Sequence, residues 1–233
     1  RWYKNMIGDC SADVVSSTVP CSTKWMVGTV NSFYIGIIAT VIATALGTLA
    51  ALGLSRPHMP YKGLIMAILI SPMIVPLIIT AAGMFFFYAR INLVYTFTGV
   101  ILAHVALATP FVVITVTATL VGFDMNMVKA AQSLGAKPMR TFFKVIMPLI
   151  LPGIISGALF AFITSFDEVV IVMFMASIDQ LTIPKQMWAG IRQEISPVIL
   201  CMATCLVLLS IFLLTTVELL RRRSEKLRGI KAR

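Results

Sequence analysis

Residues 124–153 read DMNMVKAAQSLGAKPMRTFFKVIMPLILPG, a polar island between stretches that read as lipid-soluble. Asp124 suits an N-cap, and Met127, Ala130, Ala131 and Leu134 recur at i, i+3, i+4 and i+7, the period of one helix face. Gly135 stands where a left-handed residue would end that helix. Pro138 is placed as the first residue of a second helix with apolar Phe142, Phe143 and Ile146, which Pro148 and Pro152 are expected to bend or restart at the membrane. The unit reads helix, glycine turn, helix.

A helix that transmits force into a partner's groove needs an apolar strip with small side chains and a rigid turn behind it. Ala130, Ala131 and Gly135 meet that need, although the same periodicity would serve an amphipathic helix resting on the bilayer. The spacing is more specific than the periodicity. Ala130-Ala131, three residues, Gly135, nine residues and Val145-Ile146-Met147-Pro148 resemble the "EAA" loop of ABC-importer permease subunits, E-A-A-x3-G-x9-I-x-L-P. The resemblance implies a cytoplasmic coupling helix docked in a groove of the ATPase subunit, with Met127, Lys129, Ala130, Ala131, Leu134, Gly135 and Pro148 at or beside the contact. Lys129 stands at the family's Glu and reverses a charge, whereas Val145 and Met147 are conservative replacements.

Composition fixes the class. The 233 residues are 59% hydrophobic and 12% charged with mean hydropathy +0.96, against about 25% charged in ordinary globular chains. This is an integral membrane protein. Five stretches reach the roughly 20 apolar residues that a spanning helix needs: 27–54, 63–87, 95–119, 147–167 and 197–220. Ala39, Ala43, Gly47 and Ala51 in the first, and Gly153, Gly157 and Ala161 in the fourth, recur every fourth residue and place both helices inside the bundle. Pro72 and Pro76 in the second stretch and Pro110 in the third predict kinks.

Residues 1–26 contain no long apolar run and read as an extracytoplasmic, interfacial segment anchored by Trp2, Tyr3 and Trp25; Cys10 and Cys21 stand either as free thiols or as a disulfide there. With residue 1 outside, the inner segments carry 13 basic and 3 acidic side chains and the outer ones 6 of each, so the whole net charge of +10 lies on one face. The positive-inside rule requires that split. It puts the 124–146 loop and the basic tail 221–233 in the cytoplasm, the tail beside anionic membrane lipid, and explains the charge without nucleic acid. The chain begins at Arg1 rather than Met, and an outside N-terminus without a signal peptide predicts a further span upstream. The resemblance implies the same, six spans being usual in such permeases.

No catalytic, metal or cofactor site is expected. His58 and His104 are isolated in sequence, Cys201 and Cys205 read as small apolar residues, and no GxxxxGK[ST] phosphate loop is present. Energy must come from a partner. Ser165-Phe166-Asp167-Glu168 falls near the outer membrane boundary, and 169–178 is too short to cross again, hence interfacial or re-entrant. SFDEVVI and IPKQMWAGIRQEISP resemble the C-type permease subunits of spermidine/putrescine importers, with phosphonate and opine importers sharing parts of the pattern. Asp167 and Glu168 beside a membrane path would suit a chain of ammonium groups. They would equally suit a charge pair at a helix end facing water.

The reading is an all-α permease with five spans here, working with a second permease subunit, an ATPase dimer and an extracytoplasmic solute-binding protein. An ion-coupled secondary transporter should show charges at mid-span and paired broken helices. None of the five spans has a charge near its centre. A membrane scaffold that transports nothing is the remaining alternative.

Overall fold

The computed structural model describes residues 23–56, 58–121, 126–193 and 197–227. Every regular element among them is helical: α1 (Lys24–Leu54), α2 (Lys62–Ile74), α3 (Leu77–Arg90), α4 (Phe97–Val121), α5 (Asn126–Ser133), α6 (Pro138–Thr141), a π-turn (Phe142–Ile146), α7 (Met147–Phe166), α8 (Val170–Met175), α9 (Ile183–Gln193) and α10 (Pro197–Leu227). Four helices are long and apolar enough to cross a membrane, or five if α2 and α3 form one broken span. The expected all-α membrane class is the one observed.

The core is the packing of α1, α4 and α7 on one another. In lipid, helix association depends on close approach, and small residues allow it. Ala39, Ala43, Gly47 and Ala51 of α1 are all buried, as are Gly153, Gly157 and Ala161 of α7. Gly153 abuts the Thr119 side chain, and Gly157 abuts that of Thr115. A Cβ on Gly157 would also stand 3.0 Å from the Cα of Val112, so the α4 backbone would have to shift to admit a side chain. The two threonines satisfy their hydroxyls within α4, Thr115 donating to Phe111 at 2.8 Å and Thr119 to Thr115 at 2.9 Å.

The second apolar stretch is bent more sharply than a simple kink: within residues 63–87, α2 and α3 meet at 103° beside Pro76. Val75, before Pro76, is extended with φ −72° and ψ 135°, because the proline ring disfavours helical backbone in the residue preceding it. Pro72 sits within α2, and α4 likewise runs continuously through Pro110. Beyond the break, α3 turns Leu77, Ala81, Met84 and Tyr88 onto the core. Trp25 also differs from its expected role as an interfacial anchor. It lies in the first turn of α1, buried against Ile183, Val198, Ile199 and Met202, because α9 and the start of α10 fold over it. Trp2, Tyr3, Cys10, Cys21 and Asp124 lie outside the described residues.

Candidate functional site

The two ends of α7 carry the two groups of residues singled out above. Before its first turn come α5, α6 and the π-turn. Gly135 has φ +79°, its N–H bonds to Gln132 O at 2.9 Å, and the Ala136 N–H bonds to Ala131 O at 3.1 Å. This is the Schellman arrangement, which ends a helix by satisfying carbonyls that would otherwise be orphaned. Pro138 opens α6, as read from the sequence. Pro148 lacks the N–H that Lys144 O would have accepted, and its ring crowds that carbonyl. The helix answers by widening: Met147 N–H reaches back five residues to Phe142 O, closing the π-turn.

Met127, Lys129, Ala130, Leu134, Gly135 and Pro148 are all exposed, and Ala131 is half-buried. Leu134 is 88% exposed and Met127 50% exposed, so the predicted apolar strip lies open along α5 and the turn that follows it. Among the described residues no element covers it.

At the other end, Asp167 and Glu168 separate. Asp167 is exposed, whereas Glu168 is buried, and its Oε1 accepts the Ile171 N–H at 2.9 Å. Burial raises the pKa of Glu168 above the usual carboxylate range; the Ile171 and Val170 N–H groups oppose this and the Asp167 charge adds to it. Glu168 therefore caps the N-terminal end of α8. Ile171, Val172 and Met175 of that six-residue helix are fully buried, and the helix packs against α3 and α4. The sequence expectation that 169–178 is too short to cross is met by a short inserted helix.

Sequence reasoning missed several polar groups around this insertion. The Lys185 ammonium donates to Ala176 O at 2.9 Å and Val172 O at 3.3 Å, and burial lowers its pKa from the ordinary lysine value. The Tyr95 N–H takes Met175 O at 2.9 Å. Asn31 Nδ2 donates to Asp179 O at 2.8 Å and Leu181 O at 3.0 Å, and Ser32 Oγ accepts the Ile183 N–H at 2.9 Å. Adjacent Asn31 and Ser32 near one end of an apolar span were the available signal. His104, isolated in sequence from other candidate metal ligands, places its Nδ1 2.8 Å from Ser165 Oγ across α4 and α7, with both residues buried. Beside them Phe33, Phe162 and Phe166 pack with ring centroids 5.1 to 6.2 Å apart. A recess of about 540 Å³ lined by Gly53, Arg56, His58, Met59 and Pro60 includes no residue of either end.

The helical membrane core thus carries an open helix-turn-helix at one end of α7 and an acidic turn at the other. Residues 23–226 match the family described as "Binding-protein-dependent transport system inner membrane component", and the chain belongs to that family. It is a multi-pass membrane permease subunit. The spermidine/putrescine transport system permease protein PotC of Haemophilus influenzae is 30% identical over 196 residues, which cover 84% of this chain and 76% of that protein. The putrescine transport system permease protein PotI of Escherichia coli K12 is 29% identical over 212 residues, covering 88% and 70%. Among solved structures, a chain of an amino acid ABC transporter crystallised with histidines superposes with a TM-score of 0.65 at 17% identity, covering 86% of this chain and 94% of that one. A chain of the MetNI methionine ABC transporter in inward facing conformations gives 0.63 at 19% identity, covering 94% and 100%. These two share the fold.

Proposed function

We propose that the chain imports a small polyamine, of the spermidine/putrescine kind, as one permease subunit of an ATP-driven importer. The observation that carries this reading is the similarity over 84% of the chain to a protein named for spermidine and putrescine transport. The complex holds a second permease subunit, an ATPase dimer that hydrolyses the ATP, and an extracytoplasmic solute-binding protein. The segment from Asn126 to Ile146 faces the cytoplasm and docks into the ATPase through Met127, Ala130, Ala131 and Leu134, with Gly135 and Pro148 setting its angle and Lys129 supplying a polar contact. The open strip along α5 supports that placement, as does the net positive charge of the inner segments.

Asp167 and Glu168 border the solute path at the outer end. Their geometry supports different roles: exposed Asp167 offers a carboxylate to a passing ammonium group, and Glu168, already bonded to Ile171, shapes the turn beside it. Motion of the ATPases enters through α5 and α6 and travels along α7, which joins both ends. The test is uptake by the reconstituted complex of spermidine, putrescine and an anionic control solute. Asp167→Asn keeps shape and hydrogen-bonding capacity while removing the charge, so polyamine uptake should fall with assembly and basal ATP hydrolysis unchanged. Equal uptake of the anionic control, or none of the polyamines, rejects the assignment.

A further inference from the structure

We infer that Glu168 and Lys185 are a pair of positioning residues that hold the inserted helix α8 seated as the outer closure of the permease. A helix of six residues has no stability of its own, since nearly all its N–H groups lie in the first turn and its carbonyls in the last. Inside an apolar bundle these groups have no water to bond. The chain supplies a carboxylate at the N-terminal end, where Glu168 accepts Ile171 N–H at 2.9 Å. It supplies an ammonium at the C-terminal end, where Lys185 donates to Ala176 O at 2.9 Å and Val172 O at 3.3 Å. Each charge has the sign that complements its end of the helix dipole. The Tyr95 N–H takes Met175 O between the lysine's two acceptors.

Neither residue is placed by its own helix alone. Lys185 sits in the first turn of α9, and that turn is stitched to α1 by Ser32 Oγ, which accepts Ile183 N–H at 2.9 Å. The residues leading into it are held by Asn31, whose amide reaches Asp179 O and Leu181 O. Gln180 closes the intervening turn, its Oε1 accepting Ser177 N–H at 3.0 Å and Ser177 O–H at 2.7 Å. Glu168 is held by the end of α7, which His104 ties to α4 through Ser165. The pair thus clamps α8 between α7 on one side and α1 with α9 on the other. Ile171, Val172 and Met175 then fill the space against α3 and α4 completely. Unseating α8 would open an apolar gap at the end of the bundle opposite the coupling turn, and solute or water could pass without ATP being spent on it.

The inference rests on the permease reading for its transport arm alone. In a cysteine-free version of the full chain, assembled with its partner subunits in vesicles, Val172→Cys should be protected from an impermeant thiol reagent added outside, since Val172 is fully buried. Adding Lys185→Met or Glu168→Ala should speed labelling about tenfold, the factor expected for loss of one charge-assisted buried hydrogen bond. Lys185→Arg, which keeps the charge, and Glu168→Gln, which keeps an acceptor for Ile171, should leave Val172→Cys protected. The ratio of ATP hydrolysed to solute imported should rise with Lys185→Met and hold with Lys185→Arg. A purely structural weakening would lower the amount of complex without moving that ratio. Should Lys185→Met fail to insert, the Glu168→Ala and Glu168→Gln comparison carries the same test. Protection of Val172→Cys in both Lys185→Met and Glu168→Ala would overturn the inference, as would equal labelling in Glu168→Gln and Glu168→Ala. Loss of polyamine transport in the unaltered complex would count against the solute assignment while the labelling still decides the seating.

Discussion

His104 Nδ1 and Ser165 Oγ meet at 2.8 Å in a buried contact that joins α4 to the last turn of α7. An asparagine at 104 can offer a polar atom near the Nδ1 position, whereas leucine cannot. His104→Asn should therefore stay close to the parent in thermal stability. His104→Leu and Ser165→Ala should each cost about 1–3 kcal/mol, the penalty for stranding a buried polar partner. The double variant should cost less than the sum, and a thermal-shift double-mutant cycle on the purified complex measures the coupling.

Gly157→Ala should be more damaging than Gly153→Ala, the other buried-glycine change on α7. Its Cβ would meet the Val112 backbone, which cannot yield as a side chain does, and overpacking of this kind costs about 1–3 kcal/mol. Gly83→Ala, where nothing lies within 4 Å of the added carbon, should be neutral. Thermal unfolding of these variants in detergent gives the comparison.

At the coupling end, Gly135→Val forces a β-branched residue into φ +79°, at a cost of about 1 kcal/mol or more. Ala131→Trp adds bulk to the strip along α5. Both should insert normally and lose association with the ATPase in a pull-down, with transport falling in proportion. Lys129→Glu restores the residue usual in the loop and should strengthen association if the partner presents a basic contact.

Glu168 sets a pH dependence. Its pKa is raised in the folded chain chiefly by burial, so folding favours the protonated form. The stability that goes with protonation is fully present below the ordinary glutamate range of about pH 4 and is given up as pH rises through the elevated value. Glu168→Gln removes this titration and keeps the acceptor for Ile171. Its thermal stability relative to the parent should be greatest at neutral pH and shrink toward acid, and the opposite trend would place a compensating cation against the carboxylate.

The proposed orientation rests on the charge split read from the sequence. A single cysteine at Ser133 should react with an impermeant reagent from the cytoplasmic side, and one at Ile178, which is 85% exposed, from outside. Reversed labelling would invert the topology and with it the assignment of α5 to the ATPase.

The amino-acid sequence by itself determined the helical membrane class, the small-residue faces of α1 and α7, the left-handed Gly135 and the helix start at Pro138. Each is a local matter: hydropathy over about 20 residues, a repeat of four, or the backbone freedom of one residue decides it. The bend between α2 and α3 was half legible, because Pro76 marks the place but the 103° angle follows from how α3 docks on the core. The different fates of Asp167 and Glu168 were not legible at all. Adjacent in sequence, they diverge because α8 folds back and offers its Ile171 N–H to one carboxylate alone. The same holds for Lys185 at the other end of α8 and for His104 with Ser165, which are 61 residues apart. A buried polar group takes its partner from whichever helix packs against it, and side-chain periodicity records which face is apolar without recording which neighbour that face will meet.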